Sequence, residues 1–390
     1  MRAVGIIAEF DPFHDGHAYL LREAKRVTGA GYVVVAMSGD FVQRGEPAVF
    51  DKYERARSAV MGGADVVFEI PTAYATSGAR IFSEAGIRLL DSTGVVDSVC
   101  FGSECGDMEK LYEAADLLDN ESEEFKERLA EFQKAGDSYP KAREKALIET
   151  GASEELVTLM KEPNNILGIH YISAIRNSGS ALKAYTVKRI GAGYHDQSTG
   201  SEGFESATGI RNKILNEGLT NYGRFPLCAD DFSQILFSKL LETTPEQLAL
   251  TADVDESFAR AVLKYKEKSM SFGSLVKEIK SKNNLYTQVC RALMHIILGV
   301  KEEVRGSLGN LRIPYLRLLA FKESSSSLIR EMREPADAPI ITKPADAPCR
   351  DDELFRLDIK AASLYNGAVF SKYGAVLEED MKRRPEMVRL

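Results

Sequence analysis

Nearly continuous apolar runs alternate with helical stretches through the first half of this 390-residue chain, and no other feature restricts its fold as strongly. The runs are 5–8, 32–37, 65–70, 97–101 and 181–190. Between the first four, residues 16–25, 51–61 and 77–91 place apolar side chains at helical spacing. Strands buried on one face alternate apolar with polar residues; these runs do not, so both faces are covered. The pattern predicts an α/β fold, a Rossmann-like parallel sheet with helices on both sides. Ligands of such sheets bind beyond the carboxyl ends of the strands. His14, Ser38-Gly39 and Gly102 follow three of those ends and are expected to border one crevice. Residues 107–161 read as an acidic helical insertion before the fifth strand. From about Phe225 the strand signal fades, and the chain reads mostly helical. The Ser run 324–327 and two Pro-Ala-Asp-Ala-Pro segments, 335–339 and 344–348, interrupt it as loop or hairpin edge. Two domains follow, 1–225 and a largely α-helical 226–390.

At the first strand-to-helix junction stands His14-Asp15-Gly16-His17. A helix N-terminus offers unpaired backbone N–H groups and partial positive charge, an anion site ready for phosphate. Side chains three apart share a helix face, so both imidazoles can address one phosphate. Gly16 lets a nucleotide approach the backbone. A single histidine at a helix start is usually a cap or a surface residue. Here two of the chain's five histidines fall within four residues at a favoured ligand position. The H-x-G-H pattern resembles the signature of the nucleotidylyltransferase superfamily. There the pair stabilises the transition state as an oxyanion attacks the α-phosphate of ATP.

Ser206-Ala207-Thr208-Gly209-Ile210-Arg211 opens a second helix, expected over 209–216. A Ser/Thr pair at a helix start supplies hydroxyls and N–H groups to a phosphate, and an Arg one turn on can fork onto another oxygen. An N-cap with a surface Arg would use the same residues. The segment resembles the I-S-S-T-x-x-R motif of the same superfamily, which holds the β- and γ-phosphates. The 40–47 loop carries Gln43 and Arg44, residues equally suited to a substrate contact and a charged turn. Asn164-Asn165 precede an apolar helix, where amides can read a nucleotide or cap the helix. Lys188-Arg189 end the fifth strand.

Composition narrows the partners. The net charge is −8, yet between Arg260 and Lys322 there are 13 Lys or Arg against 4 Asp or Glu. One basic segment in an acidic chain fits a local polyanion, with Lys277, Lys280, Lys282 and Arg291 as candidate contacts; a solvated helix face would look the same. No run is long enough for a membrane span, and Met1-Arg2-Ala3-Val4 leads into a strand without a leader, so a cytoplasmic protein is expected. The cysteines 100, 105, 228, 290 and 349 form no C-x-x-C pair, so reduced thiols and no protein-bound metal are expected.

Together these segments resemble one family, the bacterial tRNA(Met) cytidine acetate ligases. The resemblance rests on residues 5–17, 38–48, Phe101-Gly102-Ser103-Glu104, Pro163-Asn164-Asn165, Lys188-Arg189, Gly193-Tyr194-His195-Asp196 and 206–211. It is dense in the N-terminal half and loose beyond it. Asp11 and Asp15 stand where the family usually has Asn. The resemblance implies an ATP-dependent ligase. Acetate would attack the α-phosphate to give acetyladenylate and pyrophosphate. N4 of the wobble cytidine of elongator tRNA(Met) would then take the acetyl group, giving N4-acetylcytidine and AMP. His14 and His17 would be catalytic. ATP would be bound by Ile7, Ala8, Glu9, Phe10, Asp11, Pro12, Phe13, His14, Asp15, Gly16, His17, Ala18, Tyr19 and Leu20, with Gly102, Asn164, Arg189, Ser206, Thr208 and Arg211. Mg²⁺ would accompany the phosphates. Two rivals stay open: a small-molecule adenylyltransferase, which needs no such basic segment, and a non-catalytic nucleotide-sensing RNA-binding protein, which needs no histidine pair. No K-M-S-K-S-like segment supports a class I aminoacyl-tRNA synthetase.

Overall fold

The computed structural model describes residues 2–190, 205–217, 225–280 and 285–390. All five apolar runs are strands: Ala3–Ala8, Tyr32–Ser38, Val66–Ile70, Val96–Ser103 and Lys183–Lys188. They pair in parallel in the chain order 3-2-1-4-5, with Ala3–Ala8 central. The strand order reverses on either side of Ala3–Ala8, which opens a crevice beyond its carboxyl end.

Alternation along these strands feeds two cores. Val4, Ile6, Val33, Val35 and Met37 pack on one face with Leu21 and Ala24 of helix Asp15–Thr28 and with Tyr53, Ala56 and Val60 of helix Lys52–Met61. Ala3, Ile7, Val34 and Ala36 pack on the other with helices Ala79–Asp91 and Pro163–Ser178. The second face is close-fitting. A Cβ on Gly5 would lie 2.6 Å from Leu90, and one on Gly86 would lie 2.7 Å from Ile7. Residues 107–161 form the expected helices, Met108–Asp119, Glu123–Lys134, Tyr139–Glu149 and Glu154–Leu159.

The second half corrects the sequence reading in one respect. Leu316–Lys322 is a strand, paired antiparallel with Val66–Ile70, and it carries Glu386–Val388 and Ile340–Ile341 beside it, making eight strands. Leu316-Arg317-Leu318-Leu319-Ala320 has no β-branched residue and favours helix by propensity; pairing to an existing sheet edge decides instead. The remainder is mainly helical, including Phe272–Ile279, Tyr286–Leu298 and Glu353–Tyr373. Buried residues of these helices, such as Leu293 and Leu354, join the core of the second sheet face. Among the described residues no helix is long and apolar enough to cross a membrane.

A buried ionic cluster ties the halves together. Lys52 Nζ lies 2.9 Å from Glu69, 3.2 Å from Asp380 and 3.8 Å from Asp40. Arg317 reaches Glu69 at 3.3 Å and Asp380 at 2.8 Å. Burial alone would lower the Lys52 pKa, but the three carboxylates hold it above its ordinary value. Glu69, desolvated beside Lys52, is pushed up to about 7. Within the first half, buried Arg55 holds the strand-end loops. It donates to the carbonyls of Phe50, Glu9, Ser38 and Gly39, fixing the loops that leave the first two strands. Ser38 and Gly39 are therefore buried under the crevice rather than lining it.

Candidate active site

His14 is the N-cap of helix Asp15–Thr28, and His17 is its third residue. Gly16 N–H donates to His14 Nδ1 at 3.1 Å, and His14 N–H donates to His17 Nδ1 at 3.3 Å. The two rings stack with centroids 3.7 Å apart. Phe10, held at φ 48°, packs its ring 4.8 Å from His17. Burial, reinforced by the Arg189 guanidinium, pushes His14 down to about 4. Burial and the neighbouring His14 hold His17 well below its ordinary value. Both imidazoles are thus neutral near pH 7. With each Nδ1 accepting, the proton of each ring sits on Nε2. Two Nε2–H donors on one stacked pair are left for a ligand oxygen.

The second motif comes to the same place. The His14 environment includes Arg211 and Glu205, some 190 residues later in the chain. Ser206 Oγ accepts from Gly209 N–H at 3.1 Å at the start of helix Ala207–Glu217. Arg211 donates to the Asp11 carbonyl at 2.5 Å and to Thr208 Oγ1 at 3.1 Å; Arg44 reaches that same hydroxyl at 3.3 Å. Ile210 and Ile214 seat the helix on Val49 and Phe50. Asp11 is structural: its carboxylate accepts from Val49 N–H at 2.7 Å and lies 3.5 Å from Arg211. Asp15 is exposed in the first helical turn. The Asp11 carboxylate is engaged by Val49 and Arg211, whereas Asp15 acts on His14 as a nearby negative charge.

The fourth and fifth strands close the other wall. Arg189 N–H donates to Ser103 O, its side chain lies across Gly102, and its guanidinium reaches Asn164 Oδ1 at 3.4 Å. A Cβ on Gly102 would meet Arg189 at 3.2 Å. Glu104, to which the sequence reading gave no role, caps helix Pro163–Ser178 by accepting from Asn164 and Asn165 N–H. Asn165 is 2% exposed and structural, whereas Asn164 faces Arg189.

Within 7–20 the roles divide. Ile7, Phe10 and Pro12 are buried, and Phe13 packs against Gly62. Glu9 accepts from Gln43 N–H. Leu20 and Tyr19 lean on the first-face core, and Ala8, Gly16 and Ala18 are half-buried. The backbone of the turn, more than its side chains, is what the crevice presents.

The basic segment is less uniform than its charge count. Lys277 and Lys280 are exposed; Lys282 lies outside the described residues, as does 193–196. Arg291 is half-buried beside Asp253, and its backbone abuts Gly45. Arg317 is internal, and Arg305 is bound to Asp253 and Glu302. Part of the excess charge therefore neutralises carboxylates elsewhere in the fold.

A doubly wound sheet with a histidine pair at its first helix start, faced by a Ser/Thr-Arg helix start, defines a nucleotidyltransferase-type site. Residues 1–379 match the family described as HIGH Nucleotidyl Transferase. A tRNA(Met) cytidine acetate ligase of Caldanaerobacter subterraneus subsp. tengcongensis is 36% identical over 94% of this chain and 95% of its own length. One of Lysinibacillus sphaericus is 35% identical over 94% of each. The crystal structure of Thermotoga maritima TmcAL in its apo form is 30% identical, covers 100% of both chains and superposes with a TM-score of 0.89. The same protein bound with alpha-thio ATP gives 0.85 at 29% identity over 100% of both chains. The chain belongs to the HIGH nucleotidyl transferase family and, within it, to the tRNA(Met) cytidine acetate ligase family.

Proposed function

We propose that this protein is an ATP-dependent acetate ligase that forms acetyladenylate and acetylates N4 of the wobble cytidine of elongator tRNA(Met). The observation that carries the reading is the stacked His14–His17 pair, neutral, with both Nδ1 atoms engaged by backbone N–H. Its two Nε2–H groups suit an α-phosphate whose oxygens gain charge as acetate attacks, a term worth about 3 kcal/mol per donor. Neutral donors hold that charge without clamping the product AMP as two cations would. Ser206, Thr208 and Arg211, at a helix N-terminus, suit the β- and γ-phosphates and the leaving pyrophosphate. The turn 7–20, Gly102, Asn164 and Arg189 are assigned to the nucleotide; Gly102 lets the Arg189 side chain lie close over the strand end.

In the second step the cytidine N4 attacks the acetyl carbon and AMP departs. An unpaired loop base can be splayed into the crevice. Lys277 and Lys280, with Lys282 and Arg291, are assigned to tRNA phosphates. The described residues contain no group of three His, Cys, Asp or Glu that could hold a metal. Mg²⁺ would accompany the phosphates and offset part of their charge, and the protein's part in each step is carried by the residues named above. The test is acetate-dependent ATP–pyrophosphate exchange without tRNA. Exchange that ignores acetate but appears with a phosphorylated small molecule would favour the adenylyltransferase reading instead.

A further inference from the structure

The acceptor amine poses a problem that the histidine pair does not solve. An exocyclic cytidine nitrogen is a weak nucleophile and must shed a proton as it takes the acetyl group. The proton acceptor must stand where the nucleotide crevice meets the surface from which tRNA approaches.

Glu46 lies on a hairpin between the nucleotide turn and a helix of the basic segment. Residues 41–47 form a two-stranded hairpin, with Phe41 opposite Pro47 and Val42 opposite Glu46. Its near side meets the nucleotide turn where Gln43 N–H donates to Glu9 and the Ser206–Arg211 motif where Arg44 reaches Thr208; just beyond it, Val49 N–H donates to Asp11. Its far side is wedged on helix Tyr286–Leu298. A Cβ on Gly45 would lie 2.3 Å from Arg291 N, and Gly45 sits at φ 76°. Only glycine fits so close an approach at that dihedral. The next residue, Glu46, is thereby held between the active-site turn and a helix of the basic segment.

Glu46 is half-buried. Arg211 and Arg44 are its cationic neighbours, and Asp11 and Glu9 its acidic ones. Cys290 and Tyr286 face it from the helix. No ion pair within 4 Å or hydrogen bond involves its carboxylate among the described residues. A half-buried carboxylate with two guanidinium neighbours and no partner is unusual, since pairing would recover part of its desolvation. Burial outweighs Arg211 and Arg44 and raises its pKa, the direction that makes a carboxylate a stronger base.

Given the ligase reading, we propose that Glu46 is the general base of acetyl transfer, receiving the proton of the cytidine N4 amine. The N4 lone pair forms the N–C bond to the acetyl carbon. The acyl C–O bond breaks and AMP leaves with its electron pair. The N4 proton passes to Glu46 and from there to water.

The experiment compares Glu46→Gln with the unaltered protein in two assays. One is acetate-dependent ATP–pyrophosphate exchange. The other is single-turnover acetylation of tRNA(Met) from preformed acetyladenylate, followed from pH 5.5 to 8.5. Expected is a fall of ~10² in the ratio of transfer to exchange, the range for loss of a general base. The acid limb of the wild-type transfer profile should vanish in Glu46→Gln and return, shifted, in Glu46→Asp. Equal losses in both assays, or transfer at the wild-type rate, would overturn the assignment and leave Glu46 a counter-charge for Arg211 and Arg44. Absence of acetate-dependent exchange in the unaltered protein would instead reject the ligase reading on which the proposal rests.

Discussion

His14 caps a helix and, on the proposed function, donates to the α-phosphate; two substitutions separate the roles. Its Nδ1 accepts from Gly16 N–H at 3.1 Å. Losing such a cap costs about 1 kcal/mol of stability. Its Nε2–H, as the proposed donor to developing charge, would be worth about 3 kcal/mol of barrier, or ~10² in rate. His14→Ala removes both groups. His14→Asn keeps a good N-cap acceptor and loses the ring donor and the stack on His17. Exchange should therefore fall by ~10² or more in both variants. Stability in urea should fall by about 1 kcal/mol in His14→Ala and by well under that in His14→Asn. The assays are acetate-dependent pyrophosphate exchange at saturating ATP and equilibrium unfolding of the same preparations. If His14→Asn exchanged at the wild-type rate, His14 would be a cap alone. If His14→Ala lost only the activity that its unfolded fraction accounts for, the electrostatic role would be refuted in the same way.

Three further outcomes follow from the structure. The His14 pKa is about 4 in the fold against an ordinary 6.5, so the unfolded chain binds more protons between those values. Stability contributed by the neutral ring is complete above 6.5 and lost as pH falls toward 4, while exchange stays flat from pH 8 to 6 as far as the histidines govern it; an acid limb near 6.5 abolished by His14→Asn would contradict this. Lys52→Met leaves Asp40, Glu69 and Asp380 buried with Arg317 as their remaining cation, and should cost about 3–5 kcal/mol in urea unfolding, partly recovered by adding Glu69→Gln; a loss below about 1 kcal/mol would show the cluster to be dispensable. Reversing the exposed Lys277 and Lys280 to Glu should weaken tRNA binding and flatten its salt dependence by about one unit of slope per lost phosphate contact, with tRNA-free exchange retained; unchanged affinity across a salt series would make both a solvated face.

The readable parts of this chain were those where one physical constraint dominates a short window. Strands such as Val33-Val34-Val35 are buried on both faces and must be apolar throughout, so their sequence declares them. The His14–His17 and Ser206–Arg211 segments sit at helix starts, where spacing alone places the side chains. What escaped depends on contacts made across long separations. Leu316–Lys322 is a strand because Val66–Ile70 offers it an edge. Arg317 adds to a basic count in sequence but lies against Glu69, 248 residues away, in the buried cluster. Asp11 stands where the family usually has Asn, and its oxygens are taken by Val49 N–H and Arg211. Glu104 caps a helix that begins after a 55-residue insertion, a pairing no local pattern carries.

The central claim is that one protein joins acetate to ATP in the His14–His17 crevice and passes the acetyl group to a tRNA base. The most direct test incubates the protein with isotope-labelled acetate, ATP and tRNA(Met), then maps the label by nuclease digestion and mass spectrometry. The expected result is labelled N4-acetylcytidine at the wobble position in step with AMP and pyrophosphate, absent when acetate or ATP is omitted and reduced ~10² in His14→Asn. Contradiction would be pyrophosphate release with no label on the tRNA at any acetate concentration, or label that survives loss of the histidine pair.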